Sequence, residues 1–361
     1  MKTALITTHI DVPNYGANLQ AYTTKLFLEK NGIKPTYALL KPDLLEKKYR
    51  QSISIKQLEL HNEFVNKNFN VTPEFSDPIS FYNYTKENSF DYNITGSDAV
   101  FRLVNNKSKD RWDLHYPNPF WLDFDAQNKI SLSASAMGSN IPKLLNQNER
   151  DHFKCNLNTF KKILVRDDWT YRCLQRLGID SDKCLDPVFL LRNFRSKPDN
   201  IYTGIKNPDY VVLSLPHQLP QNFEIELTAL FEREGLGVIN IGTPERELIS
   251  GLDPFMWYDL IAGSKGYVGV RFHPVVVAIS NQTPVFCLDM YARHHLERKK
   301  SKSYLLLKEF GLHKGYADRL TQKLITPKSI VKYIIAQKIA EDKLLETKTS
   351  KTLKLYSECF N

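Results

Sequence analysis

Four stretches of this chain carry side chains of the kinds that handle anions and protons. They are Arg271 and His273 in GYVGVRFHPVVVAIS, Asp98 in DYNITGSDAVFR, Arg166 in KKILVRD, and Asn14, Tyr15, Gly16 and Asn18 in TTHIDVPNYGANLQAY. Arginine offers a planar fork suited to phosphate or carboxylate, and histidine changes charge near neutral pH. An aspartate at a strand end can exchange a proton or orient a sugar hydroxyl, although as a helix cap it would look the same. Together these residue types fit capture of a small anion combined with acid and base work.

Each group lies where an apolar run ends. The run Tyr267 to Val270 reads as a strand, and Val275 to Ile279 reads as a buried helix. With Pro274 at the first helical position, where a missing N–H is harmless, Arg271, Phe272 and His273 form the turn between them. A helix start adds unpaired N–H groups and about half a positive charge. That end disfavours an imidazolium by about 0.3–1 kcal/mol, and a phosphate at contact distance favours it more strongly. His273 is therefore expected to gain its proton as an anionic substrate docks. A surface arginine beside a capping histidine is the plainer alternative, and histidine is not a favoured cap.

The other strand ends repeat the pattern. Asn14, Tyr15 and Gly16 predict a sharp loop whose N–H groups hold an anion or face a cleft, with Asn18 capping a helix that begins at Leu19. Arg166 places a cation at its strand end, and Asp167 or Asp168 caps the helix that follows. The run ERKKSKS at 297–303 reads as a solvated loop or as a flap carrying cations, and Lys302, just before a helix, is a further candidate. Asp123-Phe124-Asp125 matches the D-x-D pattern of metal-dependent sugar transferases but sits in the aromatic segment FWLDFDA and reads as structural. His294 and His295 are adjacent, so one helix face cannot offer both to a metal. No metal site is expected.

The elements that must position these groups alternate between strand and helix. KTALITT, a helix from Asn18 to Asn31, DYNITGS, KISLSAS, KKILVRD and a helix from Trp169 to Leu177 come first. A segment poor in periodicity at 192–208 reads as a linker. Strands at 210–215, 238–241, 266–270 and 285–288 follow, with helices at 222–234 and 274–280. This predicts an α/β chain of two Rossmann-like, doubly wound domains, residues 1–195 and 205–327, then a C-terminal amphipathic helix and tail at 328–361. In such folds ligands sit at the carboxyl ends of strands and, with two halves, in the interdomain cleft.

Whole-chain numbers agree. A chain of 361 residues exceeds what one core usually serves, so two domains are expected. Apolar residues make up 42% and charged residues 25%, the balance of a globular protein rather than a disordered one. No apolar run of about 18 residues is present to span a membrane, and MKTALITTHIDV is too short for a signal segment, so a cytoplasmic protein is expected. The five cysteines form no C-x-x-C pair and predict reduced, mostly buried thiols. A net charge of +9 favours anionic partners, or else reflects lysines on solvated helices. No helix-turn-helix, RNP-like or zinc-finger signature is present, so no nucleic-acid partner is expected.

With these residues in order, the chain resembles the polysaccharide pyruvyl transferase family over nearly its whole length. THIDVPNYGANLQAY, FDYNITGSDAVF, NPFWLDF, ISLSASAMG, ILVRD, DPVFLL and YVGVRFHPVVVAISNQTPVFCLD carry the resemblance. It implies a two-domain GT-B-type architecture, with the N-terminal domain on the acceptor side and the C-terminal domain on the donor side. It also implies phosphoenolpyruvate as co-substrate with no other cofactor, and a pyruvate ketal placed on a surface polysaccharide or its precursor. The family's arginine-x-histidine motif maps onto Arg271 and His273, its aspartate after glycine-serine onto Asp98, and its arginine before an acidic residue onto Arg166. Phosphoenolpyruvate is then expected against Arg271, Arg166 and Lys302, with His273 and Asp98 sharing the acid and base roles in either order. The acceptor is expected to be a sugar, free or lipid-linked, and the enzyme to lie in the cytoplasm or at the inner face of the membrane. Two departures stand out: Pro274 where the family more often has glycine, which suits a helix start, and Ala99, Val100 and Phe101 where glutamine and tryptophan are common, which bears on the acceptor pocket rather than the donor. The alternative function is a GT-B-type nucleotide-sugar glycosyltransferase.

Overall fold

The computed structural model describes residues 1–361 except 43–53, 106–108, 196–206, 217–218, 244–245, 248–250, 290–299, 320 and 337. His294 and His295, most of the expected linker and residues 297–299 of the lysine-rich run lie outside the described residues. The chain divides into two compact units, Met1–Gln51 with His61–Phe194 and Lys348–Asn361, and Ser52–Leu60 with Arg195–Thr347.

Unit 1 is built on β1 (Lys2–Thr7), β2 (Ile33–Leu40), β3 (Val71–Phe75), β4 (Tyr92–Thr95), β5 (Lys129–Ala134), β6 (Phe160–Val165) and β7 (Asp182–Lys183). They form a parallel sheet in the order β3-β2-β1-β4-β5-β6-β7. The helices are α1 (Tyr15–Lys30), α2 (Ile55–Asn68), α3 (Pro78–Glu87), α4 (Ile141–Leu144), α5 (Gln147–Leu157), α6 (Asp168–Arg176) and α7 (Val188–Phe194), and α2 is divided between the units at His61. Strands β1, β4 and β5 are buried almost along their lengths, as a sheet covered on both faces requires. Trp121 stacks on Phe101 at 4.0 Å within the core.

Strands β2 and β3 contain Pro35 and Pro73, which a sequence reading demotes from sheet interiors. The sheet accommodates both. β3 is an edge strand, and β2 pairs with it only from Tyr37 onward, so Pro35 has no ladder bond to lose on that side.

Unit 2 carries β8 (Tyr210–Ser214), β9 (Gly237–Asn240), β12 (Gly266–Gly269), β13 (Val285–Asp289) and β14 (Tyr316–Asp318), with a small antiparallel ladder of β10 (Gly242–Thr243) and β11 (Arg246–Glu247). The main sheet is parallel, in the order β14-β13-β12-β8-β9. Its helices are α8 (Gln221–Arg233), α9 (Pro254–Ala262), α10 (Phe272–Ser280), α11 (Lys302–Glu309) and α12 (Pro327–Ile335), and the core lies between sheet and helices around Val211, Leu213, Val268, Phe286 and Ile330.

The C-terminal stretch is two helices, α12 and then α13 (Asp342–Glu358), rather than one helix and a tail. α12 packs in unit 2, while α13 from Lys348 onward belongs to unit 1, where the buried Tyr356 hydroxyl meets Ser133 Oγ at 2.7 Å. The cysteines are all free thiols, and only Cys155 is exposed. Burial pushes the Cys184 and Cys359 thiols up to about 12, which keeps them unreactive at neutral pH.

Candidate active site

Strand order locates a site in each unit. In the first sheet the order reverses between β1 and β4, and in the second between β8 and β12, and the carboxyl ends of strands at such a reversal are where ligands bind in sheets of this kind. Asp98 follows β4 at the first switch, and Arg271 and His273 follow β12 at the second. A glycine precedes each. A Cβ on Gly96, whose φ is +104°, would lie 2.3 Å from Leu132 O, and one on Gly269 would lie 2.4 Å from Ser214 O. Gly269→Ala is therefore expected to destabilise the chain by about 1–3 kcal/mol. A chemical-denaturation midpoint equal to that of the wild type would contradict this close approach.

In unit 2 the helix starts two residues earlier than the sequence suggests. α10 begins at Phe272 with Arg271 as its N-cap, so Pro274 is the third helical residue. It remains within the first turn, whose N–H groups have no intrahelical partner, and so its position there removes no helical bond. Arg271 has φ 88° and ψ 148°, at the border of a region that is essentially glycine's own. His273 is buried, with its ring edge-on to Phe272 at 5.4 Å. Lys302 opens α11 with Nζ 5.0 Å from the centre of the Phe272 ring, which itself lies beside His273. Ser301 caps α11 and donates to the buried Asp289 carboxylate, which also accepts from the Tyr316 hydroxyl at 2.8 Å.

In unit 1 Asp98 has φ 71°, a left-handed conformation that aspartate tolerates better than most residues. Its carbonyl accepts from Ser135 N at 2.9 Å. Arg166 follows β6 with its guanidinium enclosed, donating from Nη2 to Asp98 Oδ1 at 3.3 Å and from Nη1 to Asp186 Oδ2 at 2.8 Å. The guanidinium expected to meet the donor thus meets two carboxylates of its own unit. Its pKa is governed first by burial, which lowers it, but Asp186, Asp98 and Asp167 outweigh that and raise it. Asp167, not Asp168, caps α6, accepting from Thr170 N at 2.8 Å.

The front loop differs from expectation. Asn14, not Asn18, caps α1, and its Oδ1 accepts from Gly16 N at 3.1 Å and Ala17 N at 3.4 Å, so those two N–H groups are occupied from within the chain. Asn18 is buried one turn into the helix, donating to Ile10 O at 2.8 Å and meeting His61 Nδ1 at 2.6 Å. Tyr15 lies against the His61 ring at 4.9 Å. Burial lowers the His61 pKa to about 4 from an ordinary 6.5. The unfolded chain then binds a proton that the folded one refuses, so stability is full above pH 6.5 and falls as pH drops toward 4, by about 3 kcal/mol at the limit. His61→Gln should lose that part of the acid sensitivity in urea titrations between pH 7 and 4, whereas parallel pH curves for variant and wild type would refute the assignment.

Three residues, Asp11, Gln20 and Asp186, carry no signal in the sequence pattern. Asp11, in the loop after β1, has its carboxyl pushed up to about 6 by burial, against the pull of His9 and Lys41. Gln20 and Asp186 are buried beside Arg166, and Gln20 Nε2 donates to Asp186 Oδ2 at 2.5 Å. Asp123 of the D-x-D tripeptide pairs with His152 at 3.6 Å. Among the described residues no group of three or more His, Cys, Asp or Glu side chains is placed to hold a metal ion.

Two parallel doubly wound sheets, each with its candidate residues at a switch point, define a two-unit α/β protein of the GT-B type. The same fold is seen in UGT89C1 of Arabidopsis thaliana in complex with UDP-L-rhamnose, at 10% identity over 99% of each chain and a TM-score of 0.53. It is also seen in a putative UDP-N-acetylglucosamine 2-epimerase from Listeria monocytogenes, at 10% identity over 98% of this chain and 90% of that one, TM-score 0.51. MnaA of S. aureus with UDP matches at 10% identity over 99% of this chain and 92% of that one, also at 0.51. At such identity the likeness is one of fold. The sequence is more specific: the chain belongs to the polysaccharide pyruvyl transferase family, whose sequence pattern matches residues 14–290. Comparison with curated proteins finds no match. Among the described residues no helix is long and apolar enough to cross a membrane.

Proposed function

We propose that this pyruvyltransferase takes its three-carbon unit from phosphoenolpyruvate and joins it to two hydroxyls of one sugar as a ketal, releasing phosphate. Arg271 and Lys302 bind the donor's phosphate and carboxylate, helped by the N–H groups that open α10. His273 gives its proton to the methylene carbon, and positive charge develops at C2. An acceptor hydroxyl oxygen bonds to C2 while Asp98 takes its proton. The bond from C2 to the phosphate oxygen then breaks with its electron pair leaving on phosphate, and a second hydroxyl closes the ring. Of the two hydroxyl protons one restores His273 and the other leaves on hydrogen phosphate, so no net proton and no oxidant is consumed.

The observation that carries this reading is the backbone of Arg271. A side chain held where glycine alone is comfortable, at the switch point and beside a buried histidine, is a strained residue at a place where strain accompanies function. The acceptor is a sugar of a surface polysaccharide or of its lipid-linked precursor, and such a precursor would bring the enzyme to the inner face of the membrane. Phosphoenolpyruvate should raise the thermal midpoint of the wild-type chain and fail to do so in Arg271→Ala. A rise with UDP and none with phosphoenolpyruvate would move the reading to a nucleotide-sugar transferase.

A further inference from the structure

The ion-pair network around Arg166 has an open end and a closed end. Asp98 keeps 14% of its side-chain surface exposed, whereas Asp186 keeps 1% and Arg166 none, so only Asp98 can reach a substrate. The closed end is fastened from several directions. Asp186 Oδ1 accepts from Val188 N at 3.1 Å at the start of α7, and Oδ2 accepts from both Arg166 Nη1 and Gln20 Nε2. Ser97 Oγ, one residue before Asp98, lies 3.4 Å from Arg166 Nη1 and donates to Ser133 O at 3.0 Å. A planar guanidinium gripped on one side by Asp186 cannot swivel, and its other side then sets where Asp98 Oδ1 sits.

We infer that Asp186, held by Gln20, is a positioning residue that fixes Arg166 and through it aims and tunes Asp98 as the base for the acceptor hydroxyl. The inference rests on the role of Asp98 proposed above. Its electrostatic consequence has a definite sign. Among the described residues, Asp186, Asp98 and Asp167 act on Arg166, and Asp167 is committed to Thr170 at the cap of α6. Removing the charge of Asp186 leaves more of the guanidinium's field on Asp98, which favours its carboxylate form and weakens it as a base. A residue that served only to hold the fold would change stability and leave the pH dependence of turnover where it was.

The test uses the full chain with phosphoenolpyruvate and a panel of galactosides and mannosides, following phosphate release across pH. Asp186→Asn, which keeps the shape and loses the charge, is expected to lower kcat by about 10- to 100-fold, to leave the KM for phosphoenolpyruvate unchanged, and to move the acid limb of kcat to lower pH. Should Asp186→Asn fold poorly, Gln20→Leu removes the brace and leaves every charge in place. It should lower kcat in the same direction by a smaller factor, again without changing that KM. Full kcat with an unmoved acid limb in a folded Asp186→Asn, or full kcat in Gln20→Leu when only that variant folds, would overturn the inference. No phosphate release by the wild type with any acceptor would instead remove the function proposed above, and this inference with it.

Discussion

Replacing His273 by alanine is expected to lower kcat by about 10²- to 10⁴-fold, the usual share of a positioned acid or base. The imidazole stands in the first turn of α10, two residues after Arg271 and edge-on to the Phe272 ring that Lys302 overlies. In the proposed mechanism an anion bound there would supply the negative charge that stabilises an imidazolium, so that the acid would be armed as the donor arrives. His273→Asn separates proton transfer from hydrogen bonding, because an amide keeps donors and an acceptor but cannot give up a proton at neutral pH. It should fall as far as alanine. An asparagine variant with wild-type kcat would show that His273 only holds the donor.

The second large effect concerns Arg271, where activity and stability should part company. Its φ of 88° with ψ of 148° burdens any residue with a Cβ by about 1–3 kcal/mol. Glycine relieves that strain and gives back about 0.5–1 kcal/mol in unfolded-chain entropy. Arg271→Gly should therefore be more stable than Arg271→Ala by about 1 kcal/mol in chemical denaturation, although the two truncations remove the same fork. Both should raise the KM for phosphoenolpyruvate by about 10- to 10⁴-fold, the loss of one or two charge-assisted hydrogen bonds. Equal stabilities would mean that the backbone there is unstrained. A KM unchanged in both would take the arginine out of the donor site.

Much of this was legible from the residue pattern. Strands β1, β4, β5, β6, β8, β12 and β13 fall within a residue or two of the predicted runs, because short apolar stretches punctuated by turn residues leave little choice in a parallel sheet. The positions of Asp98, Arg166, Arg271 and His273 at strand ends follow from the same pattern. The start of α10 was misplaced because proline is tolerated anywhere in a first turn, so Pro274 marks the turn and not the residue within it. The choice between Asn14 and Asn18 could not be made locally, since both are good caps. It is made by burial: Asn18 is enclosed against Ile10 and His61, the latter 43 residues away. The partners of Arg166 were hidden for a similar reason. Gln20 meets Asp186 across 166 residues and Arg166 meets Asp98 across 68, and only the folded sheet brings them together. An arginine at a strand end looks the same in sequence whether it faces a substrate or two carboxylates.

The measurement closest to the heart of the account follows carbon-labelled phosphoenolpyruvate through one reaction with an acceptor sugar bearing two neighbouring hydroxyls. Label is expected to enter the sugar as a ketal while phosphate appears in equal amount, with both lost together in His273→Ala. Label that stays in phosphoenolpyruvate or appears as free pyruvate, while a nucleotide-sugar donor glycosylates the same acceptor, would contradict it.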